Sequence, residues 1–210
     1  PAWRGWLRGL STVEETPGIA LFLVVMVGTV TYDGISETPW FRDLFGSFAN
    51  SIVGGTVLLV VTVGIIGLGY AGACLAAARI AGDGWTTERV AERFTHTLVP
   101  IALAYAVAHY FTLILFEGQR IISSMSDPFG TGLDLFGTAD RPIDFTLISP
   151  TGVWYVQLGV IVAGHVAAVL LAHDRALYDF HEDVAVRTQY AMLALMVVLT
   201  GIGLAIRAAG

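Results

Sequence analysis

The chain has 210 residues, of which 55% are hydrophobic and only 13% are charged, and its mean hydropathy is +0.72. This balance excludes an ordinary soluble domain and predicts an all-α protein that is embedded in a lipid bilayer. The formal net charge of -6 and the scattered positions of the 11 basic residues argue against nucleic acid as a partner.

Five apolar stretches are long enough, or nearly so, to cross a hydrocarbon core, which takes about 20 residues. They are residues 18–32, 51–78, 95–116, 152–172 and 190–206. The first is short for a span. We therefore predict a single polytopic transmembrane helix bundle over residues 1–210, with outer loops over residues 33–50 and 117–151. The second loop is long enough to be ordered and functional.

Arginine and tryptophan positions predict how the bundle is oriented. Seven of the arginines lie beside one set of span ends and four beside the other. Because cytoplasmic loops are enriched in basic residues, this asymmetry predicts an inner N-terminus and an outer C-terminus. The tryptophans all fall at predicted span ends, as an interfacial aromatic belt requires. They are Trp3, Trp6, Trp40, Trp85 and Trp154.

Small residues at four-residue spacing predict where helices touch, because lipid-solvated helices associate through close backbone approach. Two such stripes occur, one in the second span and one in the fourth. They are Gly69, Ala73 and Ala77, and Gly164, Ala168 and Ala172.

The long outer loop contains a seven-residue repeat, in which residues 127–131 (DPFGT) are followed by residues 134–138 (DLFGT). The regular phenylalanine spacing predicts a folded lid whose aromatic rings dip into the mouth of the bundle while the acids stay in water. A cation site formed by outer acids, including Asp33 and Glu37, is an alternative to ordinary solvated loops.

Histidine inside hydrocarbon is costly and marks a candidate site. His96 and His173 are predicted at matching depth near the inner ends of adjacent spans. Together with His165 they predict a three-nitrogen site for a transition metal such as Cu, Zn or Fe, with Asp174 as a fourth or outer ligand. The alternative is that these rings only form hydrogen bonds between helices. The charged stretch that follows, through Asp179 to Asp183, is predicted to be a solvated helix end.

A second interpretation of the histidines is a b-type haem, which needs one axial imidazole from each of two facing helices at similar depth. His109 and His165 are the candidate cofactor-binding pair. At ~1.5 Å rise per residue, they lie at different depths, so their pairing requires a stagger of the helices or a cofactor between them.

Three segments resemble a largely actinobacterial group of polytopic membrane proteins labelled fenitrothion hydrolase. They are residues 33–39, residues 127–140 and residues 164–177. The resemblance extends over most of the chain, although members of that group are longer. It implies a multi-pass protein of the bacterial plasma membrane and hydrolysis of organophosphate esters, and it assigns no catalytic residue. No G-x-S-x-G, P-loop or H-E-x-x-H string occurs.

The leading functional hypothesis is therefore a membrane protein that binds a transition metal or haem b through intramembrane histidines. Its role would be redox, metal handling or that of an accessory subunit, and its partners would be other membrane subunits or further copies of the same chain. The alternatives are a membrane-bound organophosphate or ester hydrolase and a transporter of ions or small molecules.

Overall fold

The computed structural model describes residues 18–209, so the first two tryptophans lie outside the described residues. Within that range the chain contains helices and no strands. The helices are α1 (Ile19–Ser36), α2 (Pro39–Ala49), α3 (Ile52–Ala81), α4 (Thr87–Phe94), α5 (Val99–Phe116), α6 (Gly118–Ser126), α7 (Pro150–Asp179) and α8 (Glu182–Ala209), and a 3-10 turn (Thr95–Leu98) joins α4 to α5. The all-α prediction is confirmed.

Five helical segments are long and apolar enough to cross a membrane: α1, α3, the continuous run from α4 to α6, α7 and α8. The protein is thus a multi-pass integral membrane protein. The helix limits differ from the predicted spans in one consistent way, because polar residues extend the helices beyond the apolar stretches. α1 continues through Asp33 to Ser36, and α7 continues past residue 172 to Asp179. This extension lengthens the first span, which the apolar pattern alone made short.

The five long helices pack as a closed ring in the order α1, α3, α8, α7, α5 and back to α1. The core inside the ring is apolar, with Val27, Cys74, Ile101 and Met196 among its buried side chains. For brevity, the end of the ring that carries α2, α6 and the long loop is called the outer end, and the opposite end is called the inner end.

The small-residue stripes lie at helix contacts. A Cβ atom on Gly164 would stand 2.8 Å from the Pro100 carbonyl oxygen of α5, and one on Gly69 would stand 3.2 Å from Leu195 of α8. Ala168 in the same stripe is completely buried. The α5–α7 crossing is therefore so close that it needs glycine.

The repeat in the outer loop forms two similar turns. Asp127 accepts backbone hydrogen bonds from Thr131 and Gly132, and Asp134 accepts them from Thr138 and Ala139. In each turn the glycine of the repeat has a positive φ, 63° and 70°, a conformation that glycine adopts without steric cost. The two carboxylates therefore organise the loop.

The lid prediction is wrong for the aromatic rings of the repeat. Phe129 is 82% exposed and Phe136 is 66% exposed, so neither ring enters the mouth of the bundle. The physical reason is the turn itself: because Asp127 and Asp134 bind the amides that follow each turn, the intervening phenylalanine projects away from the helices.

Candidate functional site

A cavity of about 220 Å³ lies between α1, α5, α7 and α8 towards the outer end of the ring. Its wall combines apolar side chains with several polar ones. The polar lining residues are Thr31, Glu37, Thr38, Tyr105, His109, Thr112 and Gln157. The cavity is the place in the described part of the chain where an intramembrane histidine, a buried amide and acidic side chains come together.

His109 lines this cavity and lies beside Asp33 of α1. His109 Nε2 lies 3.7 Å from Asp33 Oδ2, and the imidazole packs edge-on against Tyr110 with a centroid separation of 4.7 Å. Asp33 can reach the imidazole because α1 remains helical through its polar last turn. The pair links α1 to α5 at the outer end.

Gln157 is the most constrained polar residue of the wall. It projects from α7, is only 3% exposed, and donates a 2.7 Å hydrogen bond from Nε2 to the Ala108 carbonyl of α5. Because a carbonyl oxygen can only accept, the amide atom in this contact must be the nitrogen. The other amide atom of the side chain is therefore the oxygen, Oε1. Gln157 Oε1 is buried and has no hydrogen-bond partner among the described residues. A buried amide oxygen without a partner is costly, by about 1–3 kcal/mol, a cost that a bound water or ligand would offset.

Two threonine hydroxyl groups of the wall are already committed as donors. Thr31 donates to the Val27 carbonyl at 2.7 Å, and Thr38 donates to the Ile35 carbonyl at 2.6 Å. Since a hydroxyl has one hydrogen and two lone pairs, each oxygen retains acceptor capacity only. These two threonines can therefore act towards a ligand only as acceptors.

The floor of the cavity is made by Tyr105 and α8. The Tyr105 hydroxyl donates to the Leu199 carbonyl and is close to Gly203, where an added Cβ atom would stand 2.6 Å from the hydroxyl oxygen. The hydroxyl can therefore approach the backbone of α8 this closely only because residue 203 is glycine. Below this contact the ring is filled by buried apolar residues, including Ile101 and Met196.

The charge beside the cavity is acidic. Glu37 lines the cavity and Asp33 contacts the lining residue His109, and Glu37 forms an ion pair with Arg42 near the start of α2. No arginine is among the described residues that line the cavity. The electrostatic environment therefore favours a cation over an anion.

The structure does not bring His96, His165 and His173 into one site. His165 is buried against Tyr105, and its Nδ1 lies 2.8 Å from the Ile161 carbonyl. His173 pairs instead with Gln189 of α8 at 2.9 Å, and Asp174 is a partly exposed neighbour on α7. Residues 18–209 contain no group of three His, Cys, Asp or Glu side chains arranged to hold a metal ion.

His109 and His165 are also separated in depth. His109 is beside Ala108, whose carbonyl binds Gln157, whereas His165 is eight residues further along α7, or ~12 Å at 1.5 Å per residue. The two imidazoles therefore do not form a pair of axial ligands for one haem iron in this arrangement. Of the residues predicted to bind metal or haem, only His109 lines the outer cavity.

The inner end holds a buried ion pair where a solvated helix end was predicted. The side chains of Arg175 and Asp179 are 3% and 7% exposed and are joined by an Nε–Oδ2 contact of 2.5 Å, and Arg93 of α4 lies 3.9 Å from the same carboxylate. The prediction is wrong for these two residues because α4 folds over this end of α7 and removes both from water. The cluster connects α4 to the inner end of α7 through buried charges.

Two wall residues, Gln157 and Tyr105, were missed by reasoning that concentrated on histidine. Gln157 did have a signal, since it is the only side-chain amide within the predicted span 152–172, and polar groups inside a span are functional candidates by default. Tyr105 had none, because a tyrosine in an apolar helix is equally suited to packing.

No family model, no curated protein and no solved structure matches the chain.

Proposed function

We propose that this integral membrane protein binds a small cation from its outer end, in the cavity between α1, α5, α7 and α8, as part of a transport or metal-handling role. The observation that carries the proposal is Gln157 Oε1, which is buried in the wall of this cavity and has no partner among the described residues. Such an oxygen recognises a metal ion directly, or the N–H or O–H groups of a cationic ligand.

The rest of the wall agrees with this chemistry. The hydroxyls of Thr31 and Thr38 donate their hydrogens to helix carbonyls, so they can only accept hydrogen bonds or coordinate cations. The carboxylate of Asp33 lies beside the lining residue His109, where it attracts positive charge and adds an oxygen to the imidazole nitrogen. Acceptors in the wall and negative charge beside it are the complement of a cation.

The size of the cavity limits the ligand. About 220 Å³ is below the ~300–1,000 Å³ of pockets that bury drug-sized molecules. The candidates are therefore a hydrated or partly dehydrated metal ion and a small alkylammonium ion. The two share positive charge and the ability to engage Gln157 Oε1, and binding measurements distinguish them.

The test is a binding titration of the purified protein in mild detergent with Zn²⁺, Cu²⁺ and methylammonium, each measured by calorimetry. Replacing Gln157 by Leu keeps the approximate volume and removes the acceptor. A hydrogen bond to a charged group contributes about 1.5–3 kcal/mol, so we expect the affinity of the bound cation to fall by roughly 10- to 150-fold. Asp140→Asn changes an outer acid that does not line the cavity and serves as the matched control.

Two results would overturn the proposal. One is the absence of binding by any of the three cations to well-folded protein. The other is equal affinity in the Gln157→Leu variant and the parent. Turnover of a phosphotriester that disappears in His109→Gln would instead assign the site to the hydrolase alternative, with the His109–Asp33 pair activating water.

A further inference from the structure

His165 lies in the middle of α7, next to the floor of the outer cavity. Its side chain is buried, at 7% exposed, and its ring packs edge-on against Tyr105 with a centroid separation of 6.1 Å. Its Nδ1 atom lies 2.8 Å from the carbonyl oxygen of Ile161. Because Tyr105 and Ile161 both line the cavity, the imidazole contacts two residues of the cavity wall without lining the cavity itself.

The polar neighbours of this imidazole are acceptors. Since the Ile161 carbonyl can only accept, the hydrogen of the neutral ring lies on Nδ1. Nε2 of this tautomer is a second acceptor, and it is buried without a hydrogen-bond partner in the described part of the chain. The other polar group beside the ring is the Met196 carbonyl of α8, whose oxygen also accepts from the Thr200 hydroxyl at 2.8 Å. A carbonyl has no hydrogen to give, so it cannot satisfy Nε2 of the neutral ring.

A proton on Nε2 is what this arrangement lacks. The imidazolium form has two N–H donors, which suits a ring with carbonyl oxygens as its polar neighbours. Burial in apolar surroundings opposes the positive charge, and a second positive charge nearby would oppose it further. The protonation of His165 therefore depends on the charge in the outer cavity.

Few other titratable groups are placed to influence the ring. Tyr105 of α5 is in contact with it. On α7 the nearest titratable residues are Tyr155 and His173, ten and eight residues away. The other elements that pack against α7 carry their nearest such groups towards the two ends of the ring of helices. These are His109 and Tyr110 on α5, Tyr190 and Arg207 on α8, His96 in the 3-10 turn and Arg93 on α4.

We propose that His165 Nε2 is a proton-binding site coupled to the outer cavity, so that a proton on His165 and a cation in the cavity oppose each other's binding. This inference rests on the proposed cation site and adds an activity to it, the exchange of a cation for a proton. When the cation enters, the Nε2–H bond breaks and the proton passes to water. The ring returns to the neutral tautomer, with Nδ1 still donating to Ile161.

The distance between the two sites limits the size of the effect. Gln157 and His165 are eight residues apart on α7, or ~12 Å at ~1.5 Å per residue. At this distance and an effective dielectric constant of ~20, two unit charges repel each other by the equivalent of about a tenfold change in affinity. A monovalent cation should therefore bind about tenfold more weakly when His165 carries the proton, and the proton should be displaced to the same extent by the cation.

The test is the affinity of the full chain, purified in mild detergent, for methylammonium between about pH 5.5 and pH 8, a range in which ordinary carboxylates remain ionised. Calorimetry is performed on the parent and on His165→Gln, which keeps a donor for the Ile161 carbonyl and takes up no proton. The fall in affinity towards low pH should be about tenfold larger in the parent than in this variant. His173→Gln, which changes an exposed histidine of the same helix, is the matched control and should behave as the parent.

The outcomes separate this inference from the cation site itself. Equal falls in affinity in the parent and His165→Gln would overturn the coupling, and the cation site would stand if Gln157→Leu still weakens binding. Absence of methylammonium binding at every pH would overturn the coupling together with this ligand for the cavity.

A second measurement does not depend on how His165→Gln folds. The ¹⁵N chemical shifts of the His165 ring report which nitrogens carry protons. In the parent protein we expect a doubly protonated ring to appear towards pH 5.5, and added methylammonium to return it to the form protonated on Nδ1 alone. A ring that stays neutral over the whole range, or whose protonation does not respond to methylammonium, would contradict the proposal.

Discussion

Replacing Gly164 by Ala should separate α5 from α7, the two helices that carry most of the outer cavity. A Cβ atom at this position would stand 2.8 Å from the Pro100 carbonyl oxygen and closer still to Ala104 Cβ. Ordinary C···O contacts are no shorter than about 3.3 Å, so the helices must move apart by at least roughly 0.5 Å. The atoms in the way are backbone and Cβ, which have no rotamer to change.

The cost is best measured as a difference between two variants on the same helix. Gly159 also lies on α7, and a Cβ atom there would meet nothing within 4 Å. Both changes gain the same helix propensity, about 1 kcal/mol relative to glycine, so this gain cancels. The remaining difference is the overpacking cost, typically about 1–3 kcal/mol.

The assay is reversible unfolding in mixed detergent and SDS micelles, followed by circular dichroism, of the parent, Gly164→Ala and Gly159→Ala. We expect Gly164→Ala to be less stable than Gly159→Ala by about 1–3 kcal/mol. If the two variants unfold within about 0.5 kcal/mol of each other, which is the usual range for substitutions at unstrained surface positions, the close α5–α7 crossing is wrong.

Two further predictions concern the outer end. The Thr131 amide, with that of Gly132, lowers the pKa of Asp127. The Ser126 hydroxyl, with the Ala139 amide, lowers the pKa of Asp134. The two carboxylates therefore stabilise the loop above the unfolded-state pKa of ~3.9, and this contribution is lost as the pH falls through their lower pKa values in the folded protein. The hydrogen-exchange protection factors of the four amides that donate to the two carboxylates should fall below about pH 4, and unchanged protection factors there would contradict this. On α2, Trp40, Leu44 and Phe48 are 53%, 68% and 48% exposed at four-residue spacing, which is typical of a helix lying in the membrane interface. Trp40 as the sole tryptophan should be quenched by brominated lipid, and quenching only by aqueous iodide would show that this face is solvated.

The architecture was largely predictable because the hydrocarbon core imposes a length and an apolar composition on every span. The apolar pattern did not predict where the helices end. Asp33 and Asp179 are charged, yet both belong to helices that continue beyond the apolar stretch. Those ends are determined by backbone hydrogen bonding and, for Asp179, also by burial. Neither can be read from the hydropathy of the sequence.

The histidines show a different limit. Depth along a span follows from counting residues, and the expected stagger between His109 and His165 agrees with the structure. The direction in which a ring points depends on which helices are neighbours, and the order of helices in the ring is a property of tertiary packing. His173 faces α8 and Gln189, whereas His96 lies on the 3-10 turn before α5, so matching depth did not bring them together.

The outer cavity ends at a layer that a cation cannot cross in the described conformation. Beneath Tyr105 the ring contains Ile101, Met196 and Leu199, all buried, and an ion in such surroundings would lose its hydration without gaining ligands. In the described conformation the proposed cation site is therefore closed towards the inner end. Passage of a cation to the inner end would require the Tyr105 hydroxyl to leave the Leu199 carbonyl. Because the hydroxyl packs against α8 at Gly203, that movement must involve the outer part of α8.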